Sequence, residues 1–237
     1  MSQARDSKEP ADPVRFTRAW VDAYTRFAGR YDLAVRLLPV WKTWLGRALP
    51  HIEGPRVLEV SFGTGYLMSQ YAHRFETHGI DYNRTMVRTA RKNCLRVGSK
   101  AELVQGSVES LPYPDATFDS LVNTMAFSGY PRGLEALSEM KRVLRPGGRM
   151  IILEFTLPPS RLLRTGYLFY FSQVLPRIGK LIARAEMDAY RYLPDSVREW
   201  PSPDRFSDQI TRAGFEEVEH ELLFFGVAAI HTALCPA

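Results

Sequence analysis

The chain is 237 residues long, 45% hydrophobic and 24% charged, which excludes a disordered, collagen-like or disulfide-built protein and suits one domain with a sizeable core. Its net charge of +5 fits an anionic partner such as nucleic acid or a lipid surface, and equally fits an ordinary soluble enzyme. The two cysteines, Cys94 and Cys235, lack the C-x-x-C spacing of a metal or redox site, so a reducing compartment and no metal are expected.

Residues 1–13 are polar and mixed in charge and are expected to form a frayed tail; no basic segment followed by an apolar stretch marks a secretory signal. Residues 14–237 are expected to form a single domain, with 14–50 as an N-terminal helical cap. From residue 57 to 154 apolar strands alternate with helical patterns, the signature of parallel βαβ units. Strands are predicted at 56–61, 76–81, 102–105, 118–123 and 149–155, the last after the Pro146-Gly147-Gly148 turn. Helices are predicted at 66–74, 85–97 and 133–144. An aromatic helical stretch at 162–185, a Pro-rich segment at 194–203 and a helix at 203–213 follow. Two strand-like runs, 217–224 and 226–234, meet at Phe225-Gly226 as an antiparallel hairpin. The fold class is therefore α/β: a Rossmann-like doubly wound sheet, mostly parallel, with a C-terminal antiparallel hairpin. The longest apolar stretch, 167–176, is interrupted by Ser172 and Gln173 and falls short of the roughly 20 residues that span a bilayer, so the protein is expected in the cytoplasm.

The most informative string is Val57-Leu58-Glu59-Val60-Ser61-Phe62-Gly63-Thr64-Gly65, a buried strand entering a glycine-rich turn. Two glycines let a ligand lie against bare backbone, and the following helix offers N–H groups to an anion. The dinucleotide fingerprint needs a third glycine where this chain has Met68, which turns the reading away from diphosphate cofactors. Glu59, ionised within an apolar strand, is costly without a partner, and either a ligand ammonium or a neighbouring arginine would supply one. Asp81 ends the second strand 18 residues after Gly63, where a carboxylate can accept both hydroxyls of a ribose; capping the next helix is the other role open to it.

After the third strand comes Gly106-Ser107-Val108-Glu109-Ser110-Leu111-Pro112, and Val143-Leu144-Arg145-Pro146-Gly147-Gly148 precedes the fifth. The order glycine turn, acid after strand two, G-x-x-x-x-L-P and V-L-R-P-G-G resembles the class I S-adenosylmethionine-dependent methyltransferases, and implies their seven-stranded fold and S-adenosylmethionine as cofactor. The resemblance places cofactor contacts at Tyr31, Glu59, Ser61, Gly63, Thr64, Gly65, Asp81, Tyr82, Met86, Ser107, Val108 and Asn123. Ser107 stands where that family commonly has an acid toward the adenine amino group.

Leu153-Glu154-Phe155, Val174-Leu175-Pro176-Arg177-Ile178-Gly179, Tyr190-Arg191-Tyr192-Leu193-Pro194-Asp195-Ser196-Val197, Ala213-Gly214-Phe215 and Gly226-Val227-Ala228-Ala229-Ile230-His231 resemble the ubiquinone/menaquinone biosynthesis C-methyltransferases. With Tyr31-Asp32-Leu33 and Trp41-Lys42, the resemblance covers most of residues 27–235. It implies methyl transfer to a small, largely apolar acceptor: a quinol, a phenol or a lipid-like molecule. Two departures stand out. Phe127-Ser128-Gly129 replaces the usual Ile-Arg-Asn string after strand four, and Val35 replaces an Asn soon after Tyr31-Asp32.

A sulfonium methyl is already electrophilic, so alignment and exclusion of water matter more than covalent chemistry. A general base would add roughly 10² to 10⁴-fold. Glu154, at a strand's carboxyl end, is the first candidate and His231 the second; a structural carboxylate and a sheet histidine are the alternatives. Phe127, Tyr130, Tyr190 and Tyr192 are candidates to line the acceptor pocket, or to serve as aromatic core. Residues 157–202 read as a helical insertion covering the substrate. Within it, 157–185 carries Arg161, Arg164, Arg177, Lys180 and Arg184 with no acid, which suits either an anionic membrane surface or a lid on its own domain. The basic residues are otherwise dispersed and no nucleic-acid partner is expected. An amine or phospholipid-headgroup N-methyltransferase, and a repurposed relative that binds cofactor without turnover, are the competing functions.

Overall fold

The computed structural model describes residues 39–174 and 200–237. The chain enters through helix α1 (Pro39–Gly46) and a 3-10 turn, then alternates β1 (Arg56–Val60), α2 (Met68–Tyr71), β2 (Glu76–Asp81), α3 (Arg84–Arg96), β3 (Glu102–Gln105), β4 (Phe118–Thr124), α4 (Gly133–Val143) and β5 (Leu144–Phe155). Helix α5 (Arg161–Phe169) runs into a π-helical turn at Tyr170–Val174, and after residue 199 come α6 (Pro203–Arg212), β6 (Glu216–Leu223) and β7 (Ala228–Leu234). The expected frayed tail at 1–13, most of the expected cap at 14–50, and 175–199 of the expected insertion lie outside the described residues.

Seven strands form one sheet in the order β3-β2-β1-β4-β5-β7-β6. The first five pair in parallel, and β7 inserts antiparallel between β5 and β6, with Ile152 opposite His231. Both faces are covered, which is why β1 and the second half of β5 are rich in apolar residues. One face packs Val57, Val122, Ile151 and Leu153 against Trp44 of α1, Ala48 just after it, Tyr71 of α2 and Ala90 of α3. The other packs Leu58, Val60, Leu121 and Ile152 against Leu137 and Met140 of α4 and Phe206 and Ile210 of α6. Helix starts follow local chemistry: the Asn83 side chain accepts from the N–H groups of Thr85 and Met86 to cap α3, and Ser202 with Pro203 opens α6.

Two elements differ from their expected extents for physical reasons. The helix expected at 66–74 is only Met68–Tyr71, because the glycine turn consumes the residues before it; an N-terminus this short offers no anion site. Strand β5 begins at Leu144 instead of Arg149, because the Pro146-Gly147-Gly148 turn is itself tied into the sheet: Gly147 N–H donates to Cys235 O and Cys235 N–H to Gly148 O, both at 2.8 Å.

The amino ends of the strands are held by charge pairs, Arg56 with Glu76 at 2.7 Å and Arg145 with Asp119 at 2.8 Å. The carboxyl ends, where β1 leads one way across the sheet and β4 the other, form the switch-point crevice at which open α/β sheets bind ligands.

Gly65 explains itself by packing. Its φ is +72°, and a Cβ there would sit 2.9 Å from Ala90 Cβ. Gly65→Ala should therefore destabilise the fold by about 2 kcal/mol, read in urea unfolding as a lower midpoint at unchanged slope; a midpoint equal to that of the parent would remove the packing role.

Candidate functional site: the crevice at the ends of β1, β2 and β4

Strand β1 delivers Glu59, 1% exposed, beneath the crevice. Tyr71 Oη–H donates to its Oε2 at 2.7 Å, and Oε1 has no hydrogen-bond partner among the described residues. Among the described residues no arginine pairs with it. Burial, with the nearby Asp81 charge adding to it against the Tyr71 hydrogen bond, pushes the Glu59 carboxyl up to about 8.

Asp81 ends β2 and accepts twice: Gly63 N–H donates to Oδ2 at 2.9 Å and Asn83 N–H to Oδ1 at 2.8 Å. Burial raises it to about 6 against these two hydrogen bonds. The helix-capping role falls instead to Asn83, which sequence reasoning did not single out. Of the turn's amides, Gly63 N–H is spent on Asp81 and Gly65 N–H on Phe62 O. The two glycines also divide their tasks: the Gly63 Cβ position faces open space at φ +56°, whereas Gly65 is bare to admit α3.

Thr64 is buried, and its carbonyl accepts from Asn93 Nδ2 at 2.9 Å. Met86 is buried in the first turn of α3, and Tyr82, half exposed, gives its carbonyl to Gln105 Nε2. Past β3, Ser107 Oγ accepts from Glu109 N–H at 3.2 Å while Val108 packs in the core beside Leu111. At the end of β4, Asn123 Nδ2 donates to Val60 O at 3.2 Å and to Tyr130 Oη at 2.7 Å, and Tyr130 Oη lies 2.7 Å from Ser61 Oγ. Ser61 and Met125, at the ends of two adjacent strands, have φ of 53° and 54°. Phe127 sits 5.2 Å from the Tyr130 ring, 5.9 Å from Trp200 and 5.0 Å from Phe206, forming an aromatic wall whose last two members the sequence did not suggest.

Glu154 is buried at the end of β5, with Oε2 accepting from Ser128 N–H at 3.0 Å and Oε1 from Phe155 N–H at 2.9 Å. Burial raises its pKa against these bonds. His231, 1% exposed on β7, shares Ser207 Oγ with His220, at 3.2 and 3.1 Å from the two Nδ1 atoms, and stacks edge-on against Phe206. Burial, with His220 alongside, lowers it to about 3, so it is neutral at physiological pH. Tyr31, Tyr190 and Tyr192 lie outside the described residues. The crevice thus brings together Glu59, Ser61, Gly63, Asp81, Asn123 and Tyr130, with Glu154 and His231 further along the sheet.

Solved structures that share this architecture include methyltransferases. A SAM-dependent methyltransferase from Thermotoga maritima superimposes with a TM-score of 0.65 at 19% identity over 90% of this chain and 99% of its own. One from Aquifex aeolicus gives 0.59 at 18% identity over 95% and 100%. The fold is that of the class I methyltransferases. The model of the ubiE/COQ5 methyltransferase family matches residues 22–235, and the chain belongs to that family. Among its relatives, the ubiquinone/menaquinone biosynthesis C-methyltransferase UbiE of Geobacter sulfurreducens is 38% identical over 222 residues, 89% of this chain and 86% of that protein. The demethylmenaquinone methyltransferase of Thermus thermophilus is 38% identical over 216 residues, 88% and 97% of the two chains. The chain is a methyltransferase, as its motifs predict.

The raised Glu59 carboxyl sets a pH dependence. Folding favours its protonated form, so the ligand-free protein loses stability as pH rises from 4.5 through about 8. Glu59→Gln should flatten that slope and make the ligand-free protein more stable than the parent at pH 8 but not at pH 5. Thermal melts of both proteins at the two pH values check this, and parallel pH dependences would contradict it.

Proposed function

We propose that this protein moves the methyl group of S-adenosylmethionine onto a hydroxylated aromatic ring, a quinol or a related phenol. The observation that carries the cofactor reading is the unmatched Oε1 of buried Glu59 beside Asp81: an unmatched buried carboxylate oxygen is costly, and a ligand ammonium offsets that cost while restoring the ionised form. Gly63, open above its Cα, leaves room for that ligand, and Asp81 keeps lone pairs for ribose hydroxyls beyond the two it gives to backbone N–H groups. Bound there, the cofactor supplies an electrophilic methyl on a sulfonium.

The chain's own residues then hold the acceptor ring and keep water away. Phe127, Trp200 and Phe206 supply an apolar aromatic wall reaching Tyr130 at the crevice, which favours a planar ring over an amine headgroup. In this reading Glu154 anchors the turn at 127–129 through Ser128 N–H and is not the base, because both its oxygens are engaged. Neutral His231 holds α6 to β7 through Ser207. The names of the relatives, quinone-precursor methyltransferases, point the same way.

The acceptor is proposed to arrive from an anionic bilayer. On α5, Leu162 is 82% and Phe169 61% exposed, and the β6–β7 turn presents Phe225, 80% exposed. That turn packs by Gly226 against Pro158 and Pro159, which lead into α5, so the patches share one rim. Arg161 and Arg164 lie on this helix with no acid between residues 157 and 185, which matches an anionic surface. No helix among the described residues is long and apolar enough to cross a membrane.

Three measurements test these readings. Asp81→Ala should weaken S-adenosylmethionine and its demethylated product at least tenfold, about 1.4 kcal/mol, by titration calorimetry; unchanged affinity would refute the ribose role. Labelled methyl should pass from S-adenosylmethionine to quinols and not to aminophospholipids. In co-sedimentation, vesicles containing phosphatidylglycerol should retain the protein in a salt-sensitive way, and Phe169→Ser with Phe225→Ser should release it; retention by pure phosphatidylcholine alone would reject the charge argument.

A further inference from the structure

The polar groups where β1 and β4 end do not balance. Asn123 is fully buried, and its amide orientation is fixed because Nδ2 donates to Val60 O, a group that can only accept. Its Oδ1 is left without a hydrogen-bond partner among the described residues. Beside it, Ser61 and Tyr130 carry one hydroxyl proton each and share one hydrogen bond at 2.7 Å, and the Tyr130 oxygen already receives Asn123 Nδ2–H. Whichever of the two hydroxyls donates to the other, one proton of the pair is unspent among the bonds the described residues make. One buried acceptor and one donor are therefore left over within the same three-residue cluster.

We infer that Ser61, Tyr130 and Asn123 form a recognition site for one hydroxyl of the methyl acceptor, which donates to Asn123 Oδ1 and accepts from the Ser61–Tyr130 pair. A carbonyl would satisfy only the donor and an ammonium only the acceptor, whereas a hydroxyl satisfies both. Leaving either unmatched in a buried site costs about 1–3 kcal/mol, so an acceptor lacking the hydroxyl is discriminated against. The inference rests on the methyl-transfer reading above and assigns the groups that recognise the hydroxyl of its acceptor ring.

Three further observations support it. Ser61 adopts φ 53°, a left-handed conformation that glycine takes freely and that costs a serine about 1 kcal/mol; the serine supplies the hydroxyl that reaches Tyr130. Burial holds the Tyr130 proton far above the ordinary phenol range, so the pair remains a donor at any working pH. The aromatic wall begins at the same ring, with Phe127 5.2 Å from Tyr130, so the ring bearing the hydroxyl has apolar surface to lie against. Tyr130 and Ser61 act here as positioning groups, and no proton leaves the acceptor through them.

The test compares binding of 1-naphthol with that of naphthalene, which is more apolar but lacks the hydroxyl, to the protein saturated with S-adenosylhomocysteine. The parent should bind 1-naphthol roughly tenfold or more tighter. Tyr130→Phe, and separately Ser61→Gly, which relieves a strained backbone and should fold, should each shrink that preference to about threefold or less while leaving S-adenosylhomocysteine affinity within about twofold. A parent without the preference, variants that retain it, or variants that lose cofactor-product affinity instead would each overturn the inference, the last by moving the trio to the cofactor side. Failure of the methyl-transfer reading shows separately, as absence of label transfer to any quinol by the parent, because the naphthol comparison needs no turnover.

Discussion

The crevice depends on one carboxylate. Asp81 accepts from Gly63 on the turn after β1 and from Asn83 on the turn after β2, so a single side chain ties two loops that are 18 residues apart. Asn83 in turn caps α3, and α3 presses Ala90 against the bare Cα of Gly65, which closes the circuit back onto the glycine turn. Each contact is modest, but together they hold backbone at positive φ without any ligand. The carboxyl raised to about 6 records the cost of burying the charge after both N–H bonds have lowered it. A preorganised turn of this kind spares the cofactor the entropy of ordering it.

The second constraint is electrostatic. Glu59 and Asp81 are buried close enough for each negative charge to disfavour ionisation of Glu59, and no cationic side chain relieves Glu59 among the described residues. By contrast, the amino ends of the same strands carry matched pairs such as Arg56 with Glu76. The sheet is thus balanced at one end and left acidic at the other, a pattern in which stability is given up where a cationic ligand is to be received.

Much of this was legible in the sequence and some was not. The central strand β1 and the second half of β5 read clearly because strands covered on both faces are rich in apolar residues, and β2 and β3 have the predicted limits. Glu59 and Asp81 stood out because acids at those places are costly in any parallel strand. The role of Gly65 was obscured because the dinucleotide fingerprint assigns close helix packing to a glycine three positions later, whereas here α3, not the short α2, makes the close approach. Tyr71 and Tyr130 were harder still: their partners lie 12 and 69 residues away, and only the finished sheet sets them together.

The departure at Phe127-Ser128-Gly129 has a structural counterpart that links these themes. A buried Glu154 needs partners, and where an arginine would have supplied charge and several donors, this chain offers backbone N–H groups from Ser128 and Phe155. The bonds suffice to hold the carboxylate but add no cation, so burial raises its pKa. One residue after that string, the Tyr130 hydroxyl reaches back over β4 to Ser61 and Asn123. In the proposed reading this neutral hydroxyl network takes over acceptor recognition from a charged side chain.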